Sequence, residues 1–506
     1  MFQVLTTPQE PNMRESRRFL IRVVLLSMLV KILLAMTVPM GVDEAYATAV
    51  AREFSWSFFD HPPIGFWSPV VAANLIGVEH PLVYRLPVLF YGIISTFLMY
   101  ALGKELGGER AGLWTLVLYV LSPAFLIAGG VFVLPDGPLE LGSLIAMLFL
   151  IKIVKSDGPA PLRFWIFAGL GLAFALASKY QAALIPIAAL VFAVATPVGR
   201  KWFRQTGPYI ASAIGVLGLL PTLVWNMQHD WASFTFHSGR TGDGLQLGNF
   251  VLMVIGQGLY LLPPVLVLAA IGLWRGFDRD RPALTFLALA AAAPVLVFNF
   301  IYLFSSKSFP HWTFPGWQFA LPLAGVWLAA QSPAIWARSL RWLKWAAGLT
   351  WAVLVIAVLH ANTGVLTRLY SAVPPKWDRT ETAFDYSGLR KALQQKGLLQ
   401  DLDLIIVPGW INAGLLSTGL GGDFPVRVLG DNPHHFAFMS GEHKSGNALM
   451  MTIKVLKGQD KIQSGLLATA KAIDPKAQNL PPIILDRGGQ PYLAVTLIRL
   501  TVPEGE

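Results

Sequence analysis

The chain contains no cysteine among its 506 residues. Disulfides, thiol catalysis and cysteine-based metal sites are therefore excluded. Charge is also scarce, because only 13% of the residues are Asp, Glu, Lys or Arg, whereas soluble proteins carry about 25%. The sequence shows no internal repeat and no phosphate-binding glycine loop. These absences exclude an ordinary soluble protein and a nucleotide-binding fold.

Apolar residues dominate instead, at 54% of the chain. They form long runs without the alternation of a barrel strand, which favours membrane-spanning helices. The net charge of +10 would suggest nucleic acid in a soluble protein. Here it is better explained by Lys and Arg on the cytoplasmic side of each span, so no nucleic-acid partner is expected.

The runs predict a polytopic α-helical membrane protein with about eleven transmembrane helices. They lie at 19–40, 82–103, 111–133, 138–154, two short spans within 164–197 that turn at Lys179, 208–225, 249–272, 283–304, 313–331 and 345–361. Arg14, Arg17, Arg18 and Arg22 precede the first span, which predicts a cytoplasmic N-terminus.

Beyond residue 362 the composition changes. Strand-length apolar runs occur at 402–408, 424–430, 448–456, 481–486 and 492–500, and helices are expected at 386–398 and 410–419. This pattern predicts a C-terminal α/β domain on the outer face of the membrane. The expected organisation is a transmembrane domain over 1–361, with its first outer loop at about 41–80, and an outer domain over 362–506.

The first outer loop is the most informative stretch. Residues 41–67 combine charged side chains with many aromatic ones directly after a span. Ionisable groups at a membrane boundary are costly and indicate a working site. A solvated connector would explain the charges but not the aromatic density. Pro62, Pro63 and Pro69 are expected to break the loop into short interfacial helices.

Asp43 and Glu44 follow the first span. A carboxylate there could act as a general base on a hydroxyl acceptor. It could equally hold a metal or form a structural ion pair with Arg52 or Arg85. The residues alone leave these alternatives open.

Three further polar sites fall at the ends of predicted spans. Asp60 and His61 are fixed by the double proline that follows, and could bind phosphate, hold a metal, or form a capped turn. Asp136 lies in a tight turn, either as a site residue or as the N-cap of the fourth span. Lys179 interrupts an apolar block and should meet a carboxylate or an anionic ligand, with Tyr180 beside it as a hydrogen-bonding group.

Two aromatic stretches complete the candidates. Residues 225–240 suit a polar head beside an apolar tail, and their two histidines lack a metal-binding spacing. Residues 305–315 place Lys307, His311 and Trp312 at a membrane surface, either as ordinary anchors or as a bent, proline-shaped entry.

These stretches, in this order, resemble a known family. The matching segments are DEAYATAVAREF, FFDHPPIGFW, YRLPVLF, LSPAF with VLPDGPL, ASKYQAAL, LVWNMQHDWASFTFHSGR and SSKSFPHWTFP. They resemble the lipid-phosphosugar-dependent glycosyltransferases of the GT-C fold, in the bacterial branch related to protein O-mannosyltransferases and to the aminoarabinose transferase of lipid A. The resemblance covers about residues 15–330.

The resemblance implies a role for each matched position. Asp43 and Asp136 would be catalytic carboxylates, and the donor phosphate would be bound by His61, Lys179, Arg240 and Lys307. At position 61 relatives have lysine, so the charge here depends on the environment of a histidine. Other substrate-binding positions would be Glu44, Tyr46, Asp60, Tyr180, Trp225, Asn226, His229, His311 and Trp312. The resemblance implies no definite cofactor, and a divalent metal, with Asp60 and His61 as the candidate ligands, remains open.

The implied reaction moves a sugar from a polyprenyl-phosphate donor to an acceptor in the cell envelope, with inversion, at the periplasmic face of the bacterial inner membrane. Lipid A or another glycolipid is expected before protein as the acceptor. A transporter or flippase for lipid-linked sugars is the alternative. It is disfavoured because transporters place repeats and broken helices at the bilayer midplane.

Overall fold

The computed structural model describes residues 3–239, 242–366, 379–455 and 459–504. The chain forms two compact units. Unit 1 comprises residues 1–34, 56–65 and 85–352, and unit 2 comprises residues 35–55, 66–84 and 353–506. Residues 41–80, the predicted first outer loop, therefore contribute to both units. The predicted boundary at residue 362 stays a prediction.

Helices dominate the chain up to residue 363. The α-helices are Gln3–Thr6, Met13–Thr37, Val42–Val50, Ile64–Ile76, Pro81–Leu121, Asp136–Val154, Leu162–Leu176, Leu184–Ala195, Pro197–Arg200, Gly207–Leu217, Leu220–Gln228, Ala232–Ser238, Leu247–Leu261, Pro263–Gly276, Pro282–Tyr302, Phe314–Ala329 and Pro333–Thr363. One π-helix, Ala124–Ala128, and the 3-10 turns Tyr180–Ala183, Lys201–Arg204 and Pro310–Thr313 separate them.

Among the described residues, five helices are long and apolar enough to cross a membrane, and up to eight spans result if each of three bent pairs counts as one. The predicted number of about eleven is not confirmed. The break at Lys179 is confirmed, since one helix ends at Leu176 and the next turn begins at Tyr180.

Two expected shapes are wrong. The segment predicted as one span over 249–272 consists of two helices that meet at 102°. The corner falls at Leu262, whose φ is +72°, and Pro263 and Pro264 begin the second helix because proline suits a first turn and cannot continue a preceding helix. Pro69, expected to break the loop, lies inside the helix Ile64–Ile76.

The helices of unit 1 pack closely through glycine. A Cβ atom on Gly142 would lie 2.6 Å from the Ala175 nitrogen, and one on Gly171 would lie 2.5 Å from the Ala146 nitrogen. Small residues allow apolar helices to approach in this way. As a result, the start of the helix Asp136–Val154 and the end of the helix Leu162–Leu176 lie at the same end of the pair.

The C-terminal part of unit 2 is built on a five-stranded sheet. Its strands are β1 (Leu404–Val407), β2 (Val426–Val428), β3 (Gly446–Val455), β4 (Gln478–Arg487) and β5 (Gln490–Val502), in the order β2-β1-β3-β5-β4. The pairs β1–β2 and β1–β3 are parallel, whereas β3–β5 and β4–β5 are antiparallel.

Among the described residues, three α-helices accompany the sheet: Ser387–Gln395, Trp410–Gly419 and Gln459–Ile473. Shorter 3-10 turns cover Arg379–Thr382, His434–Phe438 and Ser440–His443. Each of the five predicted strands and both predicted helices are confirmed. The buried faces of β1, β3 and β5 supply a small apolar core of their own.

Candidate functional site

An ion pair between Asp136 and Lys179 lies where the two glycine-packed helices of unit 1 come together. The Lys179 Nζ donates to both carboxylate oxygens of Asp136 at 2.9 Å. The lysine side chain is 7% exposed and the aspartate side chain 17%. The prediction that Lys179 meets a carboxylate is confirmed.

Asp136 is the first residue of its helix, and the N-cap position is occupied by Pro135 without a side-chain cap. The alternative reading of Asp136 as an ordinary N-cap is therefore wrong. Its carboxylate instead faces Lys179, and both His61 and His311 contribute to the electrostatic potential there. The structure thus brings four predicted site residues of unit 1 within electrostatic range of one another.

The loop segment 56–65, here called the apex, packs against the same place. A Cβ atom on Gly65 would lie only 2.8 Å from the Pro135 Cα. The Ile64 nitrogen donates to the Ala177 carbonyl at 3.0 Å. The apex is therefore in contact with the residues that precede both Asp136 and Lys179.

The apex is also held through its carbonyl groups. The His237 Nε2 donates to the Asp60 carbonyl at 2.9 Å, and the Ser233 Oγ donates to the Phe58 carbonyl at 3.3 Å. Both donors belong to the short helix Ala232–Ser238. Backbone contacts of this kind fix Asp60 and His61 in place without depending on the side chains at those two positions.

The His61 imidazole is neutral at physiological pH. Burial lowers its pKa to about 3; Asp60 opposes this shift, and the nearby Lys179 and His237 reinforce it. A neutral imidazole can donate one hydrogen bond but carries no positive charge. His61 therefore carries no positive charge in the folded protein, whereas a lysine at this position would carry one.

Residues 225–233 form a tight turn. The residues predicted to bind the substrate here contact other residues of the turn or of the helix before it. The Asn226 Nδ2 donates to the Thr222 carbonyl at 2.9 Å, while its Oδ1 accepts from the Ser233 nitrogen at 3.1 Å. Trp225 stacks on His229 with ring centroids 4.3 Å apart. The substrate-binding roles expected of these three residues stay predictions, and each residue also shapes the turn.

Tyr180 continues this aromatic surface. Its ring lies edge-on to His237 at 5.1 Å and packs on Phe234 at 5.8 Å. Tyr180 follows Lys179 directly and therefore connects the ion pair with the helix that holds the apex.

The stretch 305–315 contributes residues of different exposure. Lys307 is exposed, whereas Trp312 is 8% exposed and packs against Phe298 with ring centroids 5.9 Å apart. His311 stacks on Phe309 at 5.6 Å. Trp312 thus contributes to packing, whereas the Lys307 side chain is exposed on the surface of the protein.

Arg240 lies outside the described residues. The segment just after it is anchored beside Lys307, because the Gln246 nitrogen donates to the Leu303 carbonyl at 2.7 Å and the Ser306 nitrogen donates to Asp243 Oδ2 at 2.8 Å.

The remaining candidates belong to unit 2. Asp43 is exposed near the start of the helix Val42–Val50, whereas Glu44 and Tyr46 are buried. The Glu44 Oε2 accepts from the Gly41 nitrogen at 3.0 Å, and the Tyr46 hydroxyl accepts from the His435 nitrogen at 3.2 Å. Glu44 therefore caps the start of its own helix, and Tyr46 attaches this helix to the C-terminal part of unit 2.

The alternative that Asp43 pairs with Arg52 finds no support in the contacts of Arg52. The guanidinium donates from Nε and NH2 to the two carboxylate oxygens of Glu79, at 3.3 and 2.8 Å, and from NH1 to Ser417 Oγ at 3.1 Å.

Four residues that the sequence analysis did not select as site residues become important in the structure. His237 and Ser233 hold the apex, and they lie in the quoted motif LVWNMQHDWASFTFHSGR. Lys31 and Glu140 are buried ionisable residues inside apolar helices, with 1% and 4% exposure. The rule that such residues are costly in a membrane could have identified this second pair.

The described part of the chain does not form a metal site with three or more protein ligands. No three His, Asp or Glu side chains there are grouped closely enough to hold a metal ion. Asp60 and His61 thus have no third protein ligand among the described residues.

The fold of the chain resembles that of proteins with known structures. ArnT from Cupriavidus metallidurans, crystallised with undecaprenyl phosphate, superimposes with a TM-score of 0.63 at 18% identity, covering 94% of this chain and 97% of that one. Its apo form gives a TM-score of 0.58 over the same shares. The protein therefore has the GT-C fold, as its sequence predicted.

Sequence comparison adds a more specific resemblance. Residues 60–225 match the family model described as dolichyl-phosphate-mannose-protein mannosyltransferase. The lipid A galacturonosyltransferase RgtD of Rhizobium johnstonii is 23% identical over 321 residues, which are 61% of this chain and 62% of that protein. The chain thus spans less than two thirds of this curated relative, and the resemblance predicted from the motifs is confirmed.

Proposed function

We propose that the protein is a membrane glycosyltransferase that moves a sugar from a polyprenyl-phosphate donor to lipid A or another envelope glycolipid. The observation that carries this proposal is the buried Asp136–Lys179 ion pair, surrounded by His61 and His311, in a chain with the GT-C fold. The activity stated for RgtD and the lipid phosphate bound by ArnT support the same donor and acceptor classes.

The donor phosphate is the group that Lys179 is suited to bind. A lysine at the end of a helix, in a largely buried setting, stabilises negative charge that grows on a leaving phosphate. Lys307, which is exposed, would add charge to the same group. Arg240, which lies outside the described residues, would do the same. Neutral His61 would donate a hydrogen bond rather than a charge.

The reaction is a displacement at the anomeric carbon. The acceptor oxygen forms a bond to this carbon as its bond to the phosphate oxygen breaks, and polyprenyl phosphate leaves. A single displacement inverts the anomeric configuration. Asp43, exposed near the start of its helix, accepts the proton of a hydroxyl acceptor as a general base.

The proposed location follows from the same chemistry. Polyprenyl-linked donors require a membrane, and we place the site at the periplasmic face of the bacterial inner membrane. The N-terminus would then be cytoplasmic, given the arginines before the first span. The α/β domain of unit 2 would be periplasmic.

The test is turnover by purified protein in detergent or liposomes, with undecaprenyl-phosphate sugars as donors and lipid A as acceptor, followed by mass spectrometry. We expect Asp43→Asn to lower kcat by about 10²- to 10⁴-fold with little change in melting temperature, because this side chain is exposed. The matched control is Glu53→Gln, which alters another acid of the first loop and should keep its activity.

Full activity of the Asp43→Asn protein would remove Asp43 from catalysis. Movement of a labelled lipid-linked sugar across liposomes without any covalent product would contradict the transferase and favour the flippase.

A further inference from the structure

Lys31 and Glu140 are buried in unit 1 and are distinct from the Asp136–Lys179 ion pair. Lys31 lies in the helix Met13–Thr37 and donates to the Gly92 carbonyl at 3.1 Å. Glu140 lies one helical turn beyond Asp136 in the same helix. The two side chains attract each other electrostatically, so each reduces the cost of burying the other.

The Lys31 ammonium group and the Glu140 carboxylate lie directly against two consecutive glycines, Gly130 and Gly129. A Cβ atom on Gly130 would lie 2.6 Å from the Lys31 Nζ, and a Cβ atom on Gly129 would overlap the Glu140 carboxylate, 1.9 Å from its Oε2. Any larger residue would displace one of the charges. The glycine pair follows directly on the π-helix Ala124–Ala128, a distortion that is frequent at functional sites.

Residues 131–135 link these glycines to Asp136. The Gly129 carbonyl packs against the helix start, 3.2 Å from where a Gly137 Cβ would lie. The loop therefore leaves the glycine pair and returns beside it, with Asp136 at its end. Contact of Lys31 and Glu140 with the glycines fixes the start of this loop, and Glu140 belongs to the helix that begins at the loop's other end, with Asp136.

Glu140 is an unusual choice for a purely structural anchor. Its side chain is only 4% exposed, and the adjacent Tyr119 hydroxyl and Lys31 are its polar partners. Burying a carboxylate among apolar helices is costly even when it is paired. Apolar residues of similar size in place of a buried ion pair are often neutral or stabilising, so stability alone does not explain the pair.

We propose that Lys31 and Glu140 are positioning residues, which hold the loop 129–135 so that the Asp136 carboxylate remains on Lys179. This inference concerns the site of the proposed glycosyltransferase and rests on that function for its kinetic consequence. The structural part, the order of the loop, is independent of it.

The experiment is a double-mutant cycle with Lys31→Met, Glu140→Gln and the two together, in the full-length protein. We expect each single variant to lower kcat about tenfold or more, with KM for the donor changed less than about threefold. Hydrogen–deuterium exchange of the peptide 129–137 should accelerate in each. The double variant should regain the melting temperature, since no buried charge is left unpaired, while kcat and exchange stay altered.

The matched control is the ion pair at the far end of the same helix, where the Lys152 Nζ lies 3.0 Å from the Glu105 Oε2. Lys152→Met with Glu105→Gln should leave kcat and the exchange of 129–137 unchanged. If the Lys31 and Glu140 variants show unaltered exchange and kcat, or if the double variant recovers both, the positioning role is wrong. If the wild type shows no turnover, the proposed function fails, and the exchange data alone decide the inference.

Discussion

Two segments of residues 41–80, the predicted first outer loop, have anchors of different kinds at their candidate residues. In unit 1 the apex is bound at Asp60 through its carbonyl to His237, and at Ile64 through its nitrogen to Ala177. In unit 2 the helix Val42–Val50 is bound at Tyr46 through its side-chain hydroxyl to the His435 nitrogen, beside a backbone contact in which the Thr418 hydroxyl donates to the Ala45 carbonyl at 3.3 Å. A backbone anchor survives substitution of the anchored residue, whereas a side-chain anchor does not. Candidate chemistry is therefore easier to separate from folding in the apex than in the helix.

We expect the largest loss of stability when the Asp136–Lys179 ion pair beside the apex is broken, and this test would sharpen the comparison. Lys179→Met leaves the largely buried Asp136 carboxylate without its partner. We expect a loss of about 3–5 kcal/mol in unfolding free energy, as for other broken buried pairs, and loss of turnover. Thermal melting in detergent and the turnover assay measure the two effects.

Asp136→Asn combined with Lys179→Met should restore much of the stability but no activity. Lys155→Met, at the other end of the helix, removes a lysine that is 43% exposed, and should cost less than about 1 kcal/mol. A Lys179→Met protein as stable as the wild type would mean that the pair is not buried as described.

The next effect concerns the close approach of the apex to Pro135. Gly65→Ala would place a methyl group 2.8 Å from the Pro135 Cα, and backbone cannot move away as easily as a side chain. We expect a loss of about 1–3 kcal/mol, typical of overpacking, measured by thermal melting.

Gly248→Ala is the matched control, because nothing lies within 4 Å of its Cβ position and alanine favours a helix. If Gly65→Ala behaves like this control, the apex does not pack on Pro135.

The pH dependence of stability tests the neutral imidazole in the apex. Because the pKa of His61 falls from its ordinary value of 6.5 to about 3 on folding, the unfolded chain binds a proton more readily. The His61 contribution is constant above about pH 7 and is lost at about 1.4 kcal/mol per pH unit between the two pKa values. Melting temperature against pH should therefore fall more steeply in the wild type than in His61→Gln from pH 6.5 to 4.5.

His61→Gln should keep the apex in place, since its anchors are backbone atoms. Parallel pH profiles of the two proteins would show that His61 already carries a proton in the folded state.

The smallest effect belongs to the side-chain anchor in unit 2. Tyr46→Phe removes the hydroxyl that accepts from the His435 nitrogen and keeps the ring contacts with Phe66 and Trp410. We expect a loss of about 1 kcal/mol, the usual worth of one hydrogen bond plus a donor left unsatisfied. Melting of Tyr46→Phe and Tyr46→Leu would separate the hydroxyl from the ring, and equal losses would contradict the assignment.

The sequence predicted the parts of the fold that follow from local composition. All five strands were found because each is a strand-length apolar run next to a turn signal, and the break at Lys179 followed from one charged residue in an apolar block too long for one span. The corner at Leu262 was missed, because hydropathy is the same in straight and bent segments. The break at Gly107 and Gly108 in the helix Pro81–Leu121, by contrast, was predicted, because the charged residues of 104–110 separate the spans expected at 82–103 and 111–133.

The site was predicted unevenly for a similar reason. Asp136 and Lys179 stood out as charges at helix ends, and the structure joins them. Lys31 and Glu140 are single charges inside apolar stretches and were passed over. His237 was seen as part of an aromatic motif, but only the folded chain shows that its partner is a carbonyl 177 residues away.

The position of Asp136 as the first residue of a 19-residue helix has a consequence for how a phosphate would bind and leave. The positive end of a helix dipole favours an anion, and here the protein's own carboxylate already supplies one and is also bound to Lys179. Under the proposed function, we expect the donor phosphate to share or replace this resident anion rather than enter a bare cationic pocket. Such an exchange limits how tightly the lipid phosphate is retained, which favours its release once the sugar has been transferred.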